Sequence, residues 1–476
     1  MFKEYNQQQN FLIPSSYDDF LWERHEAKLL NNIINWLDLE FLYKSYKNNK
    51  LWTSAYDPVM LLKILFYWYM NESFSSRKIS KKLKSDLGFM FLAWNNKPDF
   101  RTINNFRKNK WILLEEIFVQ IVYLASELWL IKFWTFSIDW TQIYANASKH
   151  RNIDLKKLQD KISWFFDEAD RIDQEEDEKY WDNEDDIPEE LADIQKQREA
   201  IEKAKKKYKE LQDKVKKENK EAKNNKKSLR KNINPTDPDS RFQKMKRWDT
   251  AQWYNCQIVT ENQIIIWNYI AWKPGDLDTL IPTLDKIKNN FNKTSKQILA
   301  DKWYWSEENY VYLENEKIKS YIPHPERHKV NLEDYIYESK NDTFQDIEGN
   351  IYKFKQFVWS LNWRKKWRPK KWEKIKEEDF QSKLYISKLK NWNNKFLQIS
   401  KNQKLVYKRN DDRLYSDKWK QLYKTRSNDV EAVFWNTKFN LWFERFLLRW
   451  LEWVQIEWNL INMTHNLKKI MKFQTS

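Results

Sequence analysis

The sequence predicts an α/β protein: a mixed sheet interrupted by helical insertions and preceded by an all-α region. Three observations predict it. Apolar, β-rich runs recur at FWTFSID (Phe133–Asp139), YNCQIVT (Tyr254–Thr260), NQIIIWNYIA (Asn262–Ala271) and QILAD (Gln297–Asp301). Residues 1–130 instead carry apolar side chains at helical intervals. A long, almost wholly charged stretch separates the first strand signal from the others, as an insertion would.

In chain order, Leu29, Ile33, Trp36 and Leu37, then Met60, Leu61, Ile64 and Leu65, mark helical apolar faces. SSRKISKKLKSD (Ser75–Asp86) and PDFRTINNFRKNK (Pro98–Lys110) read as short basic helices joined by a turn. That layout suits a helix-turn-helix DNA-binding module, and it equally suits two solvated helix faces. Trp111–Trp134 is broken by Glu115, Glu116 and Glu127, so it reads as a buried helix rather than a membrane span. FWTFSID is a strand ending in an acid, with a second strand expected in WTQIYANAS.

From residue 152 to 234 the chain is charged, with Ile194, Ile201, Tyr208 and Val215 at heptad spacing and Ala204 and Leu211 as companions. This predicts a helical hairpin or coiled coil, ended by NPTDPDSR. Leu277–Ile287 reads as a helix, 322–425 as a basic irregular insertion, and Asp429–Phe473 as helical with Phe434, Phe443, Phe446, Leu447, Leu451 and Val454 on its apolar face.

The 476 residues suffice for two or three domains, and 85 Lys+Arg against 69 Asp+Glu leave +16, a charge suited to a polyanion partner. A single cysteine, Cys256, excludes a disulfide framework and a thiolate zinc cluster and fits a reducing compartment. The start, MFKEYNQQQN, has no export-signal layout, so a cytoplasmic location is expected. Of the five His, only His324 and His328 are near each other, a poor metal pair.

Glycine numbers 3 and tryptophan 28, whereas ordinary glycine usage would give roughly 33 residues here. Folding gives no reason for that exchange, because turns that need positive φ are served by glycine. Two readings follow: UGA codons meaning glycine have been written as tryptophan, or the chain is a Trp-rich nucleic-acid binder whose indoles stack on bases.

Asp139 and Asp301 each end an apolar run. Carboxylates so placed suit a hard divalent cation, and equally suit a cap or a solvated turn. FSIDWTQIYANASKHRN, NPTDPDSRF, WYNCQIV, ILADKWYWSEEN with KSYIPH, and LYKTRSNDVEAVFWNTKF followed by FLLRWLEWVQIEWNLINMTHNLKKI resemble, in this order, DDE transposases of bacterial insertion sequences (the IS4/IS5-like superfamily). YDPVMLLKILFYWY and FMFLAWNNKPDFRTINNFR extend the resemblance to the N-terminal region. Relatives carry glycine where this chain has Trp68, Trp94, Trp140, Trp303, Trp435, Trp450 and Trp458. Substituting glycine turns the local motifs into IDGT, ADKGY and VFGNTK.

The resemblance implies an RNase H-like catalytic domain, with Asp139, Asp301 and Glu431 holding two Mg²⁺ ions (or Mn²⁺) for cleavage and strand transfer at phosphorus. It divides the chain into a helical DNA-binding domain (1–130), catalytic parts (131–151, 235–321, 426–476), the charged hairpin (152–234) and the basic insertion (322–425). The family's Tyr-Arg-Glu-Lys signature falls on Tyr423, Arg426, Glu431 and Lys438, with one extra residue between Arg and Glu. Arg77, Lys78, Arg101, Arg107, Tyr423, Arg426 and Lys438 are the expected DNA contacts. Arg368-Pro369 in the basic loop resembles a minor-groove hook, or is simply a solvated loop. The implied partners are terminal inverted repeats and target DNA, in a homodimer or higher assembly at the nucleoid. An inactivated relic that only binds DNA and a stand-alone nuclease are the competing readings.

Overall fold

The β-rich runs become one six-stranded mixed sheet in the computed structural model. It describes residues 16–45, 55–71, 76–109, 111–180, 189–224, 229–244, 250–271, 278–323, 335–338, 341, 343–358, 382–387, 395–400 and 417–475. The strands are β1 (Thr135–Tyr144), β2 (Arg241–Lys244), β3 (Thr250–Glu261), β4 (Ile264–Ala271), β5 (Gln297–Ala300) and β6 (Lys319–Tyr321). β3 runs antiparallel to β1 along one edge and pairs with β2 and β4 along the other. β5 is parallel to β1, and β6 is parallel to β5, so β4-β3-β1-β5-β6 lie side by side, with β2 also paired to β3. Asn262 and Gln263, both at positive φ, make the two-residue turn between β3 and β4 that matches strand twist.

β1 differs from its sequence reading. It does not stop at Asp139 but continues to Tyr144, because Trp140–Tyr144 pair with Gln257–Trp253 of β3. Its start is clamped by Glu261, whose carboxylate accepts the N–H groups of Lys132, Phe133, Trp134 and Thr135 at 2.7–3.1 Å. The parallel crossovers contain the helices Leu280–Phe291 and Glu307–Asn315.

The N-terminal helices Glu26–Trp36, Pro58–Met70 and Trp111–Glu127 pack with the C-terminal helix Leu451–Thr475, which lies on β4. Pro58–Met70 starts with Asp57 capping the Met60 N–H and Pro58 in its first turn, then buries nearly its whole surface. One apolar core, from Leu21 to Met471, holds side chains of these helices and of the sheet together. No described helix is long and apolar enough to cross a membrane.

The charged insertion forms two helices packed along each other, Leu155–Tyr180 and Glu189–Asn224. Their base is closed by pairing of Ile153–Asp154 with Asn232–Ile233 around Leu158, Ile162, Leu211 and Val215. Between residues 322 and 425 the structure corrects the irregular reading. Tyr335–Glu338, Thr343–Asp346, Ile351–Val358, Ser382–Ser387 and Lys395–Ser400 make a five-stranded antiparallel sheet. Cross-strand register sets Tyr337 and Tyr352 on either side of Phe344, a match invisible along a lysine-broken sequence. His324, His328 and the basic loop with Arg368 and Pro369 lie outside the described residues.

The final segment is also corrected. A helical run ends at Asn440, the chain then continues without helix to Trp450, burying Phe443 and Phe446, and the last helix begins at Leu451.

Candidate active site

Asp139 and Asp301 meet through backbone register. β1 and β5 run parallel with Ile138 opposite Ala300, so the next residue on each, Asp139 and Asp301, emerges at the same place on the sheet. Asp139 accepts its neighbour's N–H, from Trp140, on Oδ1 at 2.8 Å and the Arg426 guanidinium on Oδ2 at 3.0 Å. Asp301 caps a tight helical turn, Lys302–Tyr304, by accepting the Lys302 N–H at 2.6 Å. That turn is tied back to the sheet by Tyr304, whose hydroxyl donates to Gln257 Oε1 at 2.7 Å; Thr279 donates to the same oxygen. Gln257 lies opposite Trp140 in β3 and went unnoticed in the sequence, since no local pattern marks a buried glutamine as a hub.

The helical run over both acids is Asp417–Arg426, continued by a wide π turn (Ser427–Glu431), a short α segment (Ala432–Trp435) and a second wide turn (Asn436–Asn440). The first wide turn accounts for the extra residue between Arg426 and Glu431. In α-helical geometry a residue five positions on points about 140° away, whereas an i→i+5 turn absorbs the additional residue and returns Glu431 toward the Arg426 face. Asp429 fastens this turn to the sheet by accepting the Gln263 N–H and, at 3.2 Å, the Thr260 hydroxyl. Burial pushes the Asp429 carboxyl upward, opposed by those hydrogen bonds. Glu431, two residues on, is exposed.

Tyr423 and Arg426 form the wall facing the acids. The Arg426 guanidinium carbon lies 5.4 Å from the Tyr423 ring centroid. The Tyr423 hydroxyl is pushed up chiefly by burial; the charges of Asp301 and Asp139 add to this and Arg426 opposes it, which places the ring within electrostatic reach of both acids. Lys438 is half-buried, and its charge opposes the strong upward push that burial exerts on the Cys256 thiol.

Among the described residues no three His, Cys, Asp or Glu side chains are grouped closely enough to hold a metal ion. The donor types nevertheless fit a hard cation: two carboxylates side by side, one within β1 and one just past the end of β5. Completing the triad expected from the sequence would require Glu431 to approach and Arg426 to yield.

Two of the expected DNA contacts, Lys78 and Arg101, are exposed, on the helices Ser76–Lys82 and Phe100–Asn109; Arg77 falls on the first, and its side chain lies outside the description. A third helix, Leu87–Ala93, stands between these two where a turn was expected. Arg107 is a correction. It is 4 % exposed, and its guanidinium donates to Tyr69 and Asn104 and lies 3.8 Å from Glu457, so it is a core tie with no free face for phosphate.

Two family models match the chain: Transposase domain (DUF772) over residues 15–109 and Transposase DDE domain over residues 388–471. These matches support a DDE transposase. The first spans the N-terminal helices with Lys78 and Arg101; the second spans the helical run with Tyr423, Arg426, Glu431 and Lys438. They imply an enzyme acting on DNA. No curated protein and no solved structure matches the chain.

Proposed function

We propose that the chain is a transposase that cleaves DNA at the ends of an IS4/IS5-like insertion sequence and joins them to target DNA, with Asp139, Asp301 and Glu431 as its acids. The observation that carries the reading is the parallel register bringing Asp139 and Asp301 together beneath the helix of Arg426 and Glu431. The strand path β4-β3-β1-β5-β6, with β3 antiparallel and β5 and β6 parallel to β1, supports an RNase H-like scaffold.

Divalent ions bound here, Mg²⁺ or Mn²⁺, would supply charge neutralisation and activation of the attacking oxygen at phosphorus. Asp139 and Asp301 would hold them from the rigid sheet and Glu431 from the helix. Tyr423, Arg426 and Lys438 would position the phosphodiester; Arg77, Lys78 and Arg101 would contact phosphates further along the duplex, an affinity that weakens with salt. Joining two element ends calls for a homodimer or larger assembly, acting where the DNA is, at the nucleoid. The test is cleavage of a duplex carrying the element's terminal inverted repeat in Mg²⁺. Wild type is expected to cut, and Asp139→Ala, Asp301→Ala and Glu431→Ala to lose activity; equal cutting by all four would remove the site.

The Trp excess we read as glycine codons written as tryptophan. Of the ten described non-glycine residues at positive φ, four are Trp94, Trp129, Trp442 and Trp450, a backbone region in which a bulky side chain is penalised. Trp94 and Trp129 each end a helix in paired closing hydrogen bonds: Asn95 N–H to Met90 O with Trp94 N–H to Phe91 O, and Leu130 N–H to Ala125 O with Trp129 N–H to Ser126 O. That is the motif whose left-handed residue is usually glycine. Trp36, Trp94 and Trp129 are more than 70 % exposed, while the buried indole N–H groups of Trp68 and Trp253 have no acceptor among the described residues. The coding DNA is the test: UGA at these positions is expected, and UGG at most of them overturns the reading.

A further inference from the structure

We infer that Arg426 is a built-in counter-cation for Asp139: it holds the carboxylate while no divalent ion is bound and gives it up when DNA offers a phosphate in exchange. The inference rests on the function proposed above. Its basis is geometric. Arg426 Nη2 lies 3.0 Å from Asp139 Oδ2, with the side chains 9 % and 17 % exposed. Asp139 Oδ1 accepts the Trp140 N–H and Oδ2 the guanidinium, so a metal ion binding this carboxylate would lie against the Arg426 cation. An ion and a guanidinium cannot share that carboxylate without placing like charges in contact in a poorly solvated pocket.

A second observation shows that the guanidinium has hydrogen-bonding capacity to spare. Arg426 Nε is buried and has no acceptor among the described residues. Sited at the lip of the acid pair, this donor is available to an acceptor oxygen that bound DNA would bring, a phosphate oxygen among them. The Tyr423 ring beside the guanidinium gives it a surface to swing along without losing its cation–π contact. Exchange of Asp139 for phosphate would free the carboxylate only when DNA is in place. Ion binding and DNA binding would then favour one another by the same factor, as linkage requires. The protein alone would hold ions weakly, which limits cutting of DNA that is not correctly seated.

The experiment is Mn²⁺ binding to the full-length protein, read from the electron paramagnetic resonance signal of the free ion, with and without a short duplex. Wild type is expected to bind Mn²⁺ weakly alone and roughly tenfold or more tightly with duplex. Arg426→Gln is expected to bind roughly tenfold more tightly than wild type without duplex and to gain little from DNA. Arg426→Lys keeps the positive charge and is expected to stay weak without DNA, which separates charge removal from loosened packing; circular dichroism checks that each variant is folded. If binding depends on Asp139 but Arg426→Gln does not strengthen it without duplex, the counter-cation role is wrong while the site stands. If binding is absent throughout or indifferent to Asp139→Asn, the proposed active site fails and the inference with it.

Discussion

The Arg107 guanidinium lies 3.8 Å from the Glu457 carboxylate, joining the helix Phe100–Asn109 to the C-terminal helix with both side chains out of water. Glu457 also accepts the Leu447 and Leu448 N–H groups, and Tyr69 bridges the pair. Burial pushes the Glu457 carboxyl upward, and Arg107 opposes it. Removing one partner strands the other. Arg107→Ala is therefore expected to cost about 3–5 kcal/mol in denaturant unfolding, with Arg107→Ala/Glu457→Gln recovering part of it. A variant that unfolds normally but loses salt-dependent DNA affinity would return Arg107 to the DNA interface.

Glu261 concentrates four backbone N–H groups on one carboxylate at the start of β1. Glu261→Gln keeps the shape but exchanges an anionic oxygen for a donor facing other donors. A loss of about 2–4 kcal/mol is expected, measured by urea unfolding. A change below experimental error would mean that water replaces the carboxylate there.

The wide turn Ser427–Glu431 makes a length-sensitive site. Inserting one alanine after Asn428 adds a further residue that the wide turn does not absorb and swings Glu431 about 100° around the helix. Cleavage is expected to fall at least about a hundredfold, the scale for a misplaced catalytic group. Retained activity with the insertion would show that another acid serves in its place.

His465 is buried and neutral, with Nδ1 facing the Asn436 side-chain amide and Nε2 the Gln263 carbonyl. Burial pushes its value down from 6.5 to about 4. Between those two values the unfolded chain binds a proton that the folded chain refuses, so this residue makes stability rise with pH, by up to about 1.4 kcal/mol per pH unit. The melting temperature of His465→Gln, compared with wild type from pH 4 to 7, is expected to show a shallower rise; parallel curves would exclude a buried neutral His.

Glycine at Trp94, Trp129, Trp442 and Trp450 is expected to stabilise rather than destabilise, by about 1 kcal/mol per site, since each residue is held at positive φ. Thermal unfolding of single and combined variants tests this. A fall in melting temperature would show that these indoles make contacts worth more than the backbone strain.

Much of the architecture could be read along the chain, because strands and helices write their periodicities locally. The runs ending at Asp139 and Asp301 did become neighbouring strands, and the heptads at Tyr208, Leu211 and Val215 did form a helical hairpin. The sequence also determined, by itself, which side chains are on offer for chemistry: the acids, the Tyr423–Lys438 stretch and an unusual excess of tryptophan over glycine. Only the tertiary structure decided which charges face water. Arg107 and Lys78 look alike as letters in basic helices, yet one is buried against Glu457 and the other is exposed. Likewise the extra residue before Glu431 reads as a defect until the wide turn takes it up, and the sheet within 322–425 exists only through cross-strand partners. The physical reason is common to all three: burial, helix phase and strand register depend on atoms distant in sequence, so no local pattern encodes them.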